Sequence, residues 1–461
     1  MAAPLSVAAP AEGVRDLSLG YNLPALAQYR GTLVYFDRES ETLPREKLRA
    51  LQFGKLQNML AEIHGRNAFY TRKLDEAGVA PGDINSLDDL PLLPFTRKSE
   101  LVEAQQADGF TANLTYPLSA YTRFHQTSGT TGKPLRVFDT RSSWDWWARC
   151  WGHVFAAAGV TAEDRVFCAF SFGPFIGFWA AVDGASKIGA LFIPGGGRSS
   201  MERLELMRET GCTVLCCTPS YALHLIEQAR ENDFDLGSLR IRTTIHAGEP
   251  GANIPEIKRR IESGWGARCF DHSGASEVGA FGFEASERRN GLYVLETEFI
   301  AEVIDTDTGQ PVKPGEKGEL VLTNLGRWGY PLIRYRTGDM VHAAAGLNDE
   351  RHFMFLEGGI IGRADDMTTV RGVNIYPSAI DNFVRKHEAI LEYRATVNKR
   401  EQMDELTIQI EVSLEADAAS IRDDLLEDMK ATLGLRPNVE VVEAGSLPRF
   451  EMKAKRFFVL K

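Results

Sequence analysis

The spacing of apolar and polar positions changes period several times along the chain. From Arg45 to Ala77, Leu48, Leu51, Phe53, Leu56, Met59, Leu60 and Ile63 recur at helical intervals with charges between them, which predicts a helical lead-in. Asp83 to Glu103 mixes short apolar clusters with Pro91, Pro94 and acidic residues and reads as a turn-rich connection. Trp144, Trp146, Trp147, Trp151 and Phe155 share a predicted helix whose aromatic stripe suits core packing. Short apolar runs then follow at Arg165 to Phe170, Ala190 to Ile193, Thr213 to Cys217 and Ile241 to His246, each closed within two residues by Gly, Pro or Ser. Helical patterns alternate with them over Gly177 to Ile188, Ser199 to Thr210, Ser220 to Ala229 and Ile254 to Gly264. This alternation predicts an α/β fold with a mostly parallel sheet covered on both faces.

After Phe299 the pattern becomes a β meander, with strands expected at Ala301 to Asp305, Gly318 to Leu322 and Pro331 to Tyr335. A smaller α+β domain of about a hundred residues is expected from Gly362, carrying the cleanly alternating strand Glu405 to Val412 and the helix Ala418 to Leu433. The expected division is a lead-in over 1–40, a large domain over 41–361 and a small mobile domain over 362–461.

A length of 461 residues with 44% hydrophobic and 25% charged content fits a globular protein of two or three domains. The net charge of −11 argues against nucleic acid or an anionic membrane as partner, since both need a basic face. The six cysteines have no C-x-x-C spacing and several lie in apolar runs, so they read as buried thiols of a reducing compartment. Met1 to Gly13 is rich in Ala and Pro and lacks both Lys and Arg, so a disordered tail is expected rather than a secretion signal or membrane span, and the expected location is cytoplasmic.

Candidate chemistry begins with Gln126-Thr127-Ser128-Gly129-Thr130-Thr131-Gly132-Lys133-Pro134. Gly129 and Gly132 let the backbone approach an anion, four hydroxyls can donate, and Lys133 adds charge. The stretch fits a polyphosphate but not the Walker spacing, because the glycines stand three apart and Pro134 follows the lysine. Ligands of such sheets sit beyond the carboxyl ends of the strands, which draws attention to Gly195 to Arg198, Thr218 to Ser220 and His246 to Pro250.

Four motifs occur in order: the Thr127 to Pro134 loop, Ser273-Gly274-Ala275-Ser276-Glu277, Tyr335-Arg336-Thr337-Gly338-Asp339 and Gly362-Arg363-Ala364-Asp365-Asp366. Together they resemble the AMP-forming acyl and aryl-CoA synthetase superfamily. Leu87 to Lys98, Pro331 to Arg336 and Met367 to Pro377 are similar to its phenylacetate-CoA ligase-like members. The resemblance implies an acid–thiol ligase that uses ATP, Mg²⁺ and coenzyme A to turn an aryl acid into an adenylate and then a thioester. It implies Glu277 as the Mg²⁺ ligand and the loop from Thr127 through Ser128, Gly129, Thr130, Thr131 and Gly132 to Lys133 as the pyrophosphate cradle. Asp339 would bond the ribose and Arg363 the ribose or phosphate, with Gly248, Glu249, Pro250, Ser273, Gly274 and Ser276 around the nucleotide. Lys453 would be the catalytic lysine of the first half-reaction, Asp365 the hinge, and Gly372 part of the CoA channel.

Two positions depart from the family pattern: Ser273 stands where a tyrosine usually stacks on adenine, and Met452 replaces a glycine. His272 or Phe270 is expected to supply part of the lost stacking surface. No zinc is expected, because no cysteine follows Cys269. Phe172, Phe175 and Phe178 at three-residue steps, with Gly173 and Gly177 leaving room, suit a flat ring, and Ala247 and Ala275 are further expected pocket residues. His125, His246 and Ser273 are the expected polar contacts to a substituent, which favours a benzoate with an ortho polar group such as 2-aminobenzoate, with phenylacetate also open. An adenylating enzyme that loads a carrier protein is the alternative activity, and the oligomeric state is open, a homodimer included.

Overall fold

The computed structural model describes residues 35–127, 133–345, 349–364, 368–370, 373–375, 377–399, 405–433, 435–448 and 456–460. The tail Met1 to Gly13 and the expected site residues Ser128, Gly129, Thr130, Thr131, Gly132, Asp365, Gly372 and Lys453 lie outside the described residues. The helices in chain order are α1 (Arg38–Glu41), α2 (Arg45–Ile63), α3 (Ala68–Ala77), α4 (Lys98–Ala107), α5 (Arg141–Ala157), α6 (Trp179–Ile188), α7 (Ser200–Thr210), α8 (Pro219–Glu231), α9 (Pro255–Trp265), α10 (Pro377–Arg385) and α11 (Ala418–Leu433).

One eleven-stranded sheet dominates. Its first half is β3 (Arg165–Cys168), β4 (Leu191–Pro194), β5 (Val214–Cys217), β6 (Thr243–His246) and β7 (Arg268–Ala275), preceded in the chain by the separate hairpin β1 (Tyr121–Gln126) and β2 (Arg136–Thr140). These strands pair in parallel in the order β4-β3-β5-β6-β7. The second half is β8 (Gly279–Ala285), β9 (Arg288–Val294), β10 (Phe299–Ile304), β11 (Lys317–Asn324), β12 (Tyr335–Ala343) and β13 (Phe355–Arg363), all antiparallel. Strand β7 is the seam, parallel to β6 on one side and antiparallel to β8 on the other.

Alternation of side chains along the parallel strands separates two cores. Val166, Cys168, Val214, Cys216, Ile245 and Phe270 point to the face covered by α5 and α6. Phe167, Leu215, Cys217 and Cys269 point to the face covered by α7, α8 and α9. All six cysteines are buried, unpaired thiols. Among the described residues no helix is long and apolar enough to cross a membrane.

The C-terminal unit has its own core from Val370 onward. After the short hairpin β14 (Thr368–Val370) and β15 (Val373–Ile375) come β16 (Ile390–Asn398), β17 (Glu405–Val412), β18 (Asn438–Val442) and β19 (Phe457–Leu460). They form a sheet in the order β18-β17-β16-β19, with α11 packed on β18 and α10 on β16. Gly362 and Arg363 are strand residues of the large sheet.

Four local expectations are corrected. The lead-in is two helices, split where Gly65 takes φ +77° and the Asn67 side chain caps α3 by accepting from Tyr70 N–H. The segment expected to be turns contains the start of α4, because Glu100 at its first turn accepts from the Arg97 N–H at 2.6 Å. Helix α6 starts at Trp179 rather than Gly177, whose φ of +37° is not helical. Only Tyr335 of the expected Pro331 to Tyr335 strand is in a strand. Its preceding N–H groups are taken by side chains instead of a ladder: Leu332 by Asn324 Oδ1, Ile333 by Tyr70 Oη and Arg334 by Thr323 Oγ1.

Candidate active site

Glu277 follows β7 and is buried to 5% exposure. Its Oε1 accepts from Tyr335 Oη at 2.8 Å and lies 3.2 Å from Lys98 Nζ. Burial alone would raise this carboxyl, but the Lys98 charge, the Tyr335 hydroxyl and a backbone N–H together hold it below its ordinary range, so it is ionised at neutral pH. Lys98 is placed by a parallel bridge between Thr96 and Tyr335, in which Thr96 N–H donates to Arg334 O and Arg336 N–H to Thr96 O. Burial and the Glu277 carboxylate push the Tyr335 phenol well above the usual value, so it stays a donor.

The backbone beneath Glu277 is fixed by Arg327, which is fully buried. Its Nε and Nη2 bond both oxygens of Asp139 at 2.7 Å, and its Nη1 donates to Ser276 O at 2.9 Å and Glu277 O at 2.8 Å. Trp147 and Tyr330 flank the guanidinium. Arg327, Asp139 and the role of Lys98 were not found from sequence; an arginine within an otherwise apolar, glycine-flanked stretch was the one available signal.

Asp339 sits on β12 opposite Arg363 on β13, and Arg363 Nη1 lies 3.2 Å from Asp339 Oδ1. The Asp339 charge adds to burial and the Glu277 charge in raising the Tyr335 phenol. Gly248, Glu249 and Pro250 form the loop after β6; Gly248 takes φ +96°, which favours glycine, and Glu249 Oε1 accepts from Ser220 N–H at 2.8 Å. Ser273 is half-buried and pairs with Gly282 of β8, while Gly274 is exposed and Ser276 half-buried. Thr127 ends the hairpin side of the loop, its Oγ1 accepting from Leu135 N–H at 3.0 Å, and Lys133 is exposed on the other side.

The aromatic residues form a connected wall on the α5/α6 side of the sheet. Phe172 meets Trp179 at 4.9 Å between ring centroids and Phe170 at 5.8 Å; Phe170 meets Phe178 at 5.6 Å, and Phe178 meets Trp151 at 5.7 Å. Phe175 is half-buried near Gly173. Ala247 and Ala275 lie partly buried against the same core. His125 stacks on Trp144 at 5.3 Å, and burial together with the Arg327 and Arg123 charges lowers it to about 4. Gln126 N–H donates to Pro174 O at 2.8 Å, which ties the aromatic loop to β1.

His246 departs from expectation. It shares the β6 face of Thr244, in the α7–α9 core, and both ring nitrogens are engaged: Nε2 with Thr244 Oγ1 at 2.9 Å and Nδ1 with Cys217 O at 3.1 Å. The two-residue strand period turns it away from the aromatic wall. The same period corrects the stacking surface, since Phe270 and His272 face α5 and Ser273 points to the other side.

The AMP-binding enzyme family model matches residues 123–326, and the AMP-binding enzyme C-terminal domain model matches 372–461. The phenylacetate-coenzyme A ligase of Thermus thermophilus is 32% identical over 437 residues, covering 90% of this chain and 97% of the relative. That of Escherichia coli is 33% identical, covering 91% and 97%. The chain belongs to the AMP-binding enzyme family. A 2-hydroxyisobutyryl-CoA ligase in its postadenylation state superposes with TM-score 0.86 at 30% identity over 92% of both chains. The same ligase in its thioesterification state gives 0.69, so this structure is nearer the first arrangement.

As an AMP-binding enzyme the chain is an acid–thiol ligase that activates an acyl or aryl acid through an adenylate, with ATP and CoA as co-substrates. The Ser273 to Glu277 motif lies at the seam where the large sheet changes from parallel to antiparallel pairing.

Proposed function

We propose that the protein converts an aromatic monocarboxylic acid, of the benzoate or phenylacetate type, to its aryl-CoA thioester. The observations that carry this reading are the ionised Glu277, braced by Lys98 and Tyr335, and the connected, partly exposed rings of Phe170, Phe172 and Trp179. The acid's carboxylate oxygen attacks the α-phosphorus of ATP and the bond to pyrophosphate breaks; a thiol then takes the acyl group and AMP leaves. One buried, ionised carboxylate fits a magnesium ion that shares its remaining ligands with substrate phosphates. When bound, the ion neutralises phosphoryl charge.

In this reading Glu277 is the metal ligand, and Thr127, Lys133 and the loop between them hold the pyrophosphate. Asp339 accepts from the ribose hydroxyls, Arg363 adds charge beside it, and Gly248, Glu249 and Pro250 border the adenine. Lys453 bridges carboxylate and α-phosphate, Asp365 is the hinge, and Gly372 leaves room for the thiol arm. Similarity to phenylacetate-coenzyme A ligases over nine-tenths of the chain supports an aryl acid.

The test is pyrophosphate release with ATP, Mg²⁺ and a panel of aryl and fatty acids, with and without CoA. Turnover with an aryl acid and CoA, and aryl-CoA detected by mass, is expected; Lys453→Ala abolishes adenylate formation yet accepts a supplied adenylate. Turnover confined to fatty acids, or both half-reactions surviving in Lys453→Ala, overturns the corresponding assignment.

A further inference from the structure

Helix α9 of the large domain and helix α10 of the small one pack on each other. The contact has an attractive rim, where Arg259 Nη2 bonds Glu388 Oε1 at 2.7 Å and Glu388 is exposed. Behind the rim two further arginines come together. Arg385 is 5% exposed, and its Nε makes no hydrogen bond among the described residues. The carboxylates beside it are loose partners, Glu392 at 3.5 Å and Asp381 at 4.0 Å. Glu392 is already gripped through both oxygens by Arg456, at 2.6 and 3.0 Å. Arg260 Nη1 is likewise buried without a partner among the described residues, as is His387 Nε2. Burial and the Arg385 charge both lower the Arg260 guanidinium, so each works against its charged form. A cavity walled in part by Leu223, Pro250, Ile257, Asp381 and Arg385 leaves the two domains incompletely packed at this junction.

We propose that Arg260 is a positioning residue that keeps the α9–α10 contact weak, so that the small domain leaves the arrangement seen here for the thioester step. The inference rests on the aryl-CoA ligase reading, in which the small domain swings about Asp365 between the two half-reactions. Docking α10 on α9 takes two guanidinium groups out of water beside each other and leaves an N–H donor of each unpaired. Undocking returns them to water. The exposed Arg259–Glu388 pair offsets only part of that cost. This structure, nearer the postadenylation than the thioesterification arrangement of its relative, is therefore held lightly.

The experiment follows the two half-reactions of the full chain separately. The first is the first-turnover rate of pyrophosphate release with ATP, Mg²⁺ and phenylacetate or benzoate; the second is thioester formation from the matching synthetic adenylate and CoA. Arg260→Leu, which removes the buried charge, is expected to slow the thioester step about tenfold and to leave adenylate formation unchanged. Glu388→Gln, which loosens the rim, is expected to act in the other sense, slowing adenylate formation about two- to fivefold with the thioester step unchanged or faster. Arg260→Lys keeps the charge and is expected to stay near the native ratio of the two rates. Loss of both half-reactions by one factor in Arg260→Leu, or a faster thioester step, overturns the inference, as does Glu388→Gln moving the ratio in the same sense as Arg260→Leu. If Arg260→Leu does not fold by circular dichroism, Arg260→Gln is read in its place. A native chain silent in both half-reactions overturns the ligase reading itself, whereas an unmoved ratio in an active enzyme overturns this inference alone.

Discussion

Lys98 is the residue on which the ionisation of Glu277 turns. Burial pushes that carboxyl up and the lysine brings it down, so in Lys98→Met burial is left to dominate. Glu277 then protonates at higher pH, and the acid limb of the pyrophosphate-release profile is expected to move up by roughly one to three units. An unmoved limb would show that another group sets it. Arg327 has a structural task with a catalytic consequence, since it bonds Asp139 on one side and the carbonyls of Ser276 and Glu277 on the other. Arg327→Met leaves Asp139 as an uncompensated buried charge and is expected to cost about 3–5 kcal/mol in urea unfolding. Adding Asp139→Leu should recover part of that loss. No reading of local sequence finds this pair, because its members are 188 residues apart.

At the scale of elements, the loop between β3 and α6 is shaped by close approach. At Gly177 a Cβ would stand 2.2 Å from the Phe170 ring, and φ of +37° already disfavours other residues. Gly177→Ala therefore displaces Phe170 and the aromatic wall with it. KM for the acid should rise roughly ten- to a hundredfold while KM for ATP stays unchanged; equal effects on both would mean that the loop does not border the acid. Most strands and helices were legible because period and punctuation are local. The exceptions had non-local causes: Pro331 to Arg334 reads as a strand, yet Tyr70, Thr323 and Asn324 take its N–H groups. Histidine roles failed for a related reason. Sequence named His246 as a pocket contact, whereas strand alternation and the helices packed on that face make it a core residue.

For the whole molecule, three buried histidines and one buried aspartate set a pH dependence of stability. His125, His246 and His272 are each lowered to about 4 from 6.5, chiefly by burial, so between those values the unfolded chain binds more protons than the folded one. Their contribution is lost as pH falls from about 6.5 toward about 4. Asp271 acts oppositely: burial and the Glu284 charge raise it to about 7, so the folded chain holds its proton and stability falls as pH rises toward that value. The histidines outnumber it, and the urea midpoint is expected to drop from pH 6.5 to 5 with a net uptake of about two protons on unfolding. A midpoint flat over that range would show that these histidines are protonated in the native state.

The sequence alone determined the order and kind of most elements, the phosphate-gripping composition of the Thr127 to Lys133 stretch and the ordered motifs that mark the family, since each depends on neighbours a few residues apart. Only the tertiary structure decided which charges meet. Lys98 reaches Glu277 through a bridge between distant segments, Asp339 pairs with Arg363 across two strands, and β7 becomes the seam because β6 and β8 approach it in opposite senses. Those contacts join residues far apart in the chain, and electrostatic strength depends on distance and burial in the folded state.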